Sequence, residues 1–470
     1  GYSSLVGQQT IPTSPKGFPM RIDLSTAGTV AFADQISTDS LGDHSYIVVV
    51  GSEAVAIDIQ RDLERFDAVL DGIDARLVAV FETHIHNDYV SGGKRLADDH
   101  GADYVLPANT GAPYEHTPLP DGESVPVGEW SMQAMHTPGH TFNHTSYVLV
   151  SPEGPVAIFS GGSLLVGAVG RSDLLGPDHT EALLAHQYRS AHRIADELPD
   201  PSLVAPTHGT GSFCSASDVA DTTSTVGRER IQNPALLAPT VEAFAMSQVI
   251  GYKQFPAYYR YMAPANLAPT GAPPDQPLRR VSSLDEVEGA ILVDVRPLEE
   301  YAAGHLPGAI SVEASNDDAV YMGWTLPWGE RVVLIGSDEV VEGVRIHLQR
   351  IGWDAVVGRI DPSTMVDLVD VPLATTTLAT YADLDPAAEN LVDVRDPVEH
   401  RDGIIEGATP VHLAEFAAEP ERYVNGAVTI HCQSGYRAGI AAGFAEAAGS
   451  KVTVVKDELS NYRGQLVPVA

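Results

Sequence analysis

One segment of the chain occurs twice, and this constrains the fold more than any other feature. Leu292-Val293-Asp294-Val295-Arg296-Pro297 returns as Leu391-Val392-Asp393-Val394-Arg395-Asp396-Pro397, 99 residues later. Each copy continues through an acidic segment and a Gly-Ala pair (Gly308-Ala309, Gly407-Ala408). A second apolar run then follows, 332–335 or 428–431, and leads into a helix-like stretch. Solenoid units repeat every 20–50 residues or so, which is too short. Two tandem copies of one small α/β domain account for the spacing, at 281–370 and 376–470.

Upstream the pattern changes. Short β-branched runs at 46–50, 54–59, 77–81, 146–150, 156–159 and 203–205 alternate with helix-like stretches such as 61–70 and 180–198. This mixture predicts layered sheets covered by helices. The domain is read as 20–262, and Pro and Gly then mark 263–280 as a linker. Residues 1–19 precede the first methionine and carry no weight in this reading. Three domains suit 470 residues at roughly 100–200 per domain.

With 28 Lys plus Arg against 63 Asp plus Glu, the chain carries 35 net negative charges. Such a chain repels phosphate backbones and anionic lipid, so nucleic acid and membrane surfaces are excluded as partners. No apolar run reaches the ~18–20 residues that span a bilayer, and the opening residues carry no basic–apolar–small leader. Two cysteines in a chain this size build no disulfide framework, so a reducing cytoplasm is expected. A homo-oligomer is compatible with the sequence.

Three histidine clusters follow apolar strands: Thr83-His84-Ile85-His86-Asn87-Asp88, His136-Thr137-Pro138-Gly139-His140 and Thr207-His208-Gly209. Histidines at alternating positions after a buried strand can aim two imidazoles at one point, and a Pro-Gly turn brings a third. A single such histidine would be an ordinary polar residue, but three clusters point to one divalent metal. Its expected ligands are His84, His86 and His140, with Asp88 and His208 as further donors.

These residues resemble the metallo-β-lactamase superfamily, whose signature runs T-H-x-H-x-D-H, P-G-H, G-D and a final His. The resemblance covers roughly 30–240. Phe159-Ser160-Gly161-Gly162-Ser163-Leu164-Leu165 and Gly170-Arg171-Ser172-Asp173 are most similar to the persulfide dioxygenase branch. That likeness implies a mononuclear iron that oxidises a thiol persulfide to sulfite. The chain departs from the family twice: Tyr89 stands at the last His of the first motif, and Gly162 at the Asp of G-D. Both losses weigh against a binuclear zinc hydrolase. Iron is favoured, with zinc the alternative.

The second copy holds His431-Cys432-Gln433-Ser434-Gly435-Tyr436-Arg437-Ala438 between strand and helix. A cysteine there faces backbone N–H groups and a helix N-terminus, with Arg437 in the same turn, and all three favour a thiolate. A lone cysteine is usually a small core residue, but the polar turn ending in Arg makes Cys432 a candidate nucleophile. The repeats resemble rhodanese-type sulfurtransferases. The likeness implies that Cys432 and Arg437 are catalytic and that Gln433, Ser434, Gly435 and Tyr436 bind substrate. In the first copy Gly336 stands at the nucleophile's position and acids replace the turn, so that copy is expected to be silent. Asp393 and Arg395 read as structural anchors rather than reactants. Cys214 reads as a buried structural thiol, and Tyr258-Tyr259-Arg260-Tyr261 as packing.

The expected fold is therefore α/β: an N-terminal metallo-β-lactamase αββα sandwich followed by two rhodanese-like α/β domains. The leading function is a persulfide dioxygenase-like metal domain coupled to a rhodanese that handles sulfane sulfur from a small thiol persulfide or thiosulfate. Two alternatives stand beside it: a thioester hydrolase of glyoxalase II type, and a non-catalytic first domain with only the rhodanese active.

Overall fold

The computed structural model describes residues 19–26, 28–215, 219–268, 271–384 and 390–469. Residues 1–18 of the opening segment lie outside them. The described chain forms two compact units. One runs to Pro273 and takes in Gln349–Gly352; the other comprises Pro274–Leu348 and the chain from Trp353 onward.

The first unit holds two facing sheets. The seven strands of one lie side by side in chain order from Met20–Asp23 to Thr117–Leu119. The other has six, ordered Ser224–Thr225, Leu203–Pro206, Gly154–Gly161, Thr145–Ser151, Trp130–His136 and Ser124–Val127. Strand Asp43–Val50 shows why the sheets stack. It is buried along its whole length, with Tyr46, Val48 and Val50 on one face and Ile47 and Val49 on the other. A strand apolar on both faces needs a cover on both. The inner face meets Trp130, Met132, Tyr147 and Phe159 of the second sheet. The outer face takes Phe66 and Leu70 of helix Glu64–Asp71 and Leu96 and Ala97 of helix Gly93–His100. Helix Pro177–Glu197 covers the second sheet with Leu184, Ala191 and Ile194. The layers are α, β, β, α.

Helix Tyr259–Asn266 runs into the stretch read as linker. The reason is Asn266, whose amide donates to the carbonyls of His86 and Tyr89 (3.0 and 2.8 Å) and accepts from the Ser91 N–H. The Pro- and Gly-rich composition concealed a helix that braces the histidine loop.

The second unit contains the two copies. Each has a parallel sheet: Ile310–Ser311, Ile291–Asp294, Val332–Ile335 and Val356–Ile360 in the first, and Thr377–Ala379, Lys451–Val455, Ala427–His431, Leu391–Asp393 and Thr409–Pro410 in the second. The repeated Asp-Val-Arg has the same purpose in both. Arg296 folds back on Asp294 and donates to the Gly304 carbonyl at 2.9 Å; Arg395 folds back on Asp393 and donates to the Gly403 carbonyl at 2.8 Å. A charge-assisted clasp at a buried strand end satisfies both ions and fixes the following loop.

The copies pack through helix Tyr436–Ala447. A Cβ on Gly443 would come within 2.9 Å of Ile310 Cα, and one on Gly439 within 3.0 Å of the Leu298 side chain. Below them Glu446 accepts from Tyr301 Oη (3.2 Å), His305 Nε2 (3.0 Å) and Thr376 Oγ1 (2.6 Å).

Candidate metal centre and sulfur-transfer loop

Strands of both sheets in the first unit end at one place. Glu53–Ile57 delivers Asp58, Arg76–Phe81 delivers His84 and His86, Trp130–His136 leads to His140, and Leu203–Pro206 leads to His208. All five side chains are buried. The donor atoms of His84, His140 and His208 lie within 4.8 Å of one another.

The orientation of these rings follows from their hydrogen bonds. The His140 Nδ1–H donates to the Arg171 carbonyl at 2.8 Å. Thr83 Oγ1 gives its own proton to Asp58 at 2.7 Å, so it accepts from His84 Nδ1 at 2.9 Å. The His208 Nδ1–H donates to Asp43 at 2.8 Å. With each Nδ1 proton placed, every Nε2 lone pair faces the cluster, as in ligating histidines held by an outer partner. His84 Nε2 and His208 Nε2 stand 3.5 Å apart, and His140 Nε2 has no hydrogen-bond partner. Burial, and then the neighbouring imidazoles, push His84 and His140 well below the usual histidine range; burial also lowers His208. Three neutral imidazoles with converging lone pairs fit a divalent cation.

His208, a further donor in the sequence reading, therefore stands with His84 and His140, while His86 stands beside that group. The His86 Nε2 is drawn to Glu82 (3.1 Å) and Asp58 (3.2 Å), with Tyr89 Oη at 2.9 Å and its ring stacked at 4.3 Å. Burial opposes its charge, yet Asp58 and Glu82 hold it well above the usual range. Its Nδ1 has no partner. Asp88 lies on the other side of His208, its Oδ2 3.4 Å from Nδ1. Burial pushes Asp43 and Asp88 both up to about 7.

Cys214 is buried as expected, but it is more than filler. Its thiol donates to Asp88 at 3.5 Å, and Asp88, His208 and Cys214 form a second group of donors within 4.8 Å. Tyr258 and Tyr259 are buried beside it, with Tyr258 Oη donating to the Asp88 carbonyl.

Asp43, Asp58 and Glu82 escaped the sequence reading. Asp58 falls inside the run 54–59 that the sequence reading took as a strand, which gave no sign of its place. Its φ of +53° is strained for a residue with a Cβ. It accepts from Thr83 N–H and Oγ1 at 2.7 Å each and from Thr207 Oγ1, which joins the first and last histidine loops.

Gly162 cannot simply regain a carboxylate. A Cβ there would sit 2.5 Å from His140 Cδ2, and its N–H donates to His144 Nε2 at 2.9 Å. Gly162→Asp should therefore lower stability by about 1–3 kcal/mol, as overpacking does, without adding metal. Melting temperature and metal stoichiometry measure this; more bound metal at an unchanged Tm would show that the loop can open.

Cys432 directly follows the strand Ala427–His431, and helix Tyr436–Ala447 begins four residues on. The Gly435 N–H donates to Cys432 Sγ at 3.1 Å. Gly435 holds a φ of +102°, and a Cβ there would meet Lys456 Cα at 2.7 Å, so the tight loop needs glycine. Tyr381 Oη donates to the Cys432 carbonyl at 2.6 Å, and the Leu459 N–H to the Gln433 carbonyl at 2.8 Å. Gln433 and Ser434 are exposed at the rim. Tyr436 is committed to the first copy, donating to the Glu313 carbonyl at 2.9 Å and accepting from Ser315 Oγ at 3.0 Å. Arg437 is held by Glu399 through two hydrogen bonds (2.5 and 2.9 Å). In the first copy, a Cβ on Gly336 would meet Val295 Cγ2 at 3.0 Å and Val341 Cγ2 at 3.3 Å. The place that Cys432 takes in the second copy is crowded by valine in the first.

A Rhodanese-like domain model matches residues 279–355 and 377–465. The N-terminal part is similar to hydroxyacylglutathione hydrolases. Those of Pseudomonas putida (strain GB-1) and Pseudomonas entomophila (strain L48) are 31% and 30% identical over 33% and 34% of this chain. The chain spans 66% and 68% of their lengths. It is also similar to Persulfide dioxygenase ETHE1, mitochondrial, of Homo sapiens, at 27% identity over 46% of this chain and 78% of that one. Among solved structures, a metallo-beta-lactamase from Staphylococcus aureus subsp. aureus COL covers 71% of this chain and 99% of its own, at 26% identity and a TM-score of 0.66. The two facing sheets, the histidines at their strand ends and the paired parallel-sheet domains agree with these likenesses, and the chain belongs to the metallo-β-lactamase-fold family, with two rhodanese-like domains following that fold.

Proposed function

We propose that this chain is a sulfur-metabolism enzyme in which a persulfide dioxygenase-like metal domain is coupled to a rhodanese sulfurtransferase. The observation that carries the reading is the convergence of three neutral imidazole lone pairs, from His84, His140 and His208, at a place where position 162 offers no carboxylate. Bound there, a divalent iron would supply dioxygen chemistry and a positive charge for an anionic persulfide.

The chain's own residues prepare that place. Arg171, Thr83 and Asp43 fix the three rings. Asp58 ties the loops of His84 and His208 together through Thr83 and Thr207. The buried surround of Tyr258, Tyr259 and Cys214 limits water.

In the rhodanese step, the Cys432 thiolate attacks the outer sulfur of R–S–S–H. The S–S bond breaks, the thiolate R–S⁻ leaves, and Cys432–S–S–H remains. The Gly435 N–H is placed to stabilise charge on that sulfur. Thiol persulfide is then common to both domains, which supports their fusion in one chain.

The hydrolase similarity favours a second reading, a metal-bound water acting on a thioester. Metal analysis of purified protein separates the two. Iron near one equivalent, with oxygen uptake on adding glutathione persulfide, is the expected result. Zinc with thioesterase activity would establish the hydrolase, and no metal after reconstitution would leave only Cys432 as a reactive centre.

A further inference from the structure

The Cys432 site is ringed by paired charges, and their balance is negative. Arg437 is engaged by both oxygens of Glu399, and Arg395 by both oxygens of Asp393. Lys456, whose backbone packs on Gly435, holds Glu299 at 2.5 Å and has Glu313 at 3.9 Å. Asp396 is buried near His412. Around this loop Glu399, Asp393, Glu299 and Glu313 stand against Arg437, Arg395 and Lys456. Arg437 holds Glu399 below the usual carboxylate range despite burial, so Glu399 stays ionised.

Two of those carboxylates, Glu299 and Glu313, come from the silent copy. The same copy supplies the wall on that side. Tyr321 packs on Tyr436 with ring centroids 5.4 Å apart, and Trp324 packs on His412 at 4.9 Å. The wall is aromatic and acidic.

We infer that this rhodanese site selects its sulfur donor by charge, taking thiol persulfides and rejecting thiosulfate, with Glu399 as the residue that sets the discrimination. The inference rests on the reading that Cys432 accepts sulfane sulfur. With either donor the bond made is Cys432 S–S. From R–S–S–H the leaving group is R–S⁻. From thiosulfate it is SO₃²⁻, whose two charges sit next to the transferred sulfur throughout. That sulfonate must face a thiolate, a guanidinium already neutralised by Glu399, and a lysine facing two carboxylates. A persulfide brings at most one charge, on its outer sulfur, and a remote or uncharged R group adds none beside it, so it meets less of this repulsion, and the aromatic wall can pack against its carbon skeleton.

The test uses the full chain, thiosulfate and glutathione persulfide (whose carboxylates lie far from its outer sulfur), with kcat/KM measured for each donor. Wild type should prefer the persulfide by tenfold or more, roughly the effect of one partly buried charge contact. Its thiosulfate rate should rise with salt, because screening weakens repulsion. In Glu399→Gln the ratio of thiosulfate to persulfide kcat/KM should rise about tenfold. A thiosulfate rate that falls or stays level with salt, or an unchanged ratio in Glu399→Gln while Cys432 still loads from persulfide, overturns the inference. No loading of Cys432 from either donor would instead refute the underlying assignment of Cys432.

Discussion

Cys432→Ser is expected to abolish sulfur transfer, a loss on the order of 10⁴-fold or more, as when a covalent nucleophile is removed. The substitution is nearly isosteric at a buried position, so the fold and melting temperature should hold. The structure makes the expectation stringent because only one of the two copies can respond. At Gly336 the first copy has no sulfur and no room, with Val295 and Val341 filling the site. Any persulfide adduct in the C-terminal half must therefore map to Cys432. Mass spectrometry after incubation with a thiol persulfide, alongside turnover, checks both statements. Retained turnover in the serine variant would remove Cys432 from the mechanism.

Much of this arrangement was legible as motif. The duplicated Leu-Val-Asp-Val-Arg revealed two domains because the same clasp, Asp with Arg two residues on, is needed at both strand ends. The strand–loop–helix around Cys432 could be read locally, since Cys432, Gly435 and Arg437 are within five residues. The partners that shape each site could not. Asp43 and His208 are separated by 165 residues and Thr207 and Asp58 by 149, distances over which a sequence pattern carries no pairing information.

The same limit explains the weighting of the histidines. His86 shares a loop with His84 and so seemed the natural partner; Asp58 and Glu82 occupy its Nε2 and leave only its Nδ1 without a partner, outside the His84, His140 and His208 group. His208 arrives from the far sheet. Glu399 was invisible for a related reason: it lies 38 residues before the arginine it neutralises.

Fold class was easier to read because it depends on repeated local signals. Strand Asp43–Val50 is apolar on both faces and can only lie between layers. Helix Tyr259–Asn266 shows the opposite case, where composition argued for a linker and one buried asparagine decided for a helix. Its Pro264 sits inside that helix, against ordinary propensity, and the contacts of Asn266 outweigh the cost.

His208→Ala should strip the metal from the first domain as thoroughly as His140→Ala. Each removes one of three converging donors, and loss of a direct ligand should exceed the 10–100-fold in affinity that an outer partner typically costs. Removing His140 leaves the Arg171 carbonyl without its donor, and removing His208 leaves Asp43 facing a void beside Asp88. Both sites stay buried, so a bound ion would face two imidazoles and little else. His86→Ala predicts differently. Its Nε2 is engaged by Asp58 and Glu82, so that variant should lose stability by depriving two buried carboxylates of their imidazole partner while keeping more of its metal. Metal stoichiometry by elemental analysis, beside oxygen uptake with glutathione persulfide, ranks the three variants. Metal retained in His208→Ala but lost in His86→Ala would restore His84, His86 and His140 as the ligand set. Loss in His208→Ala and His140→Ala, with His86→Ala retaining metal at a lower Tm, would fix the centre on the imidazoles that the two sheets bring together.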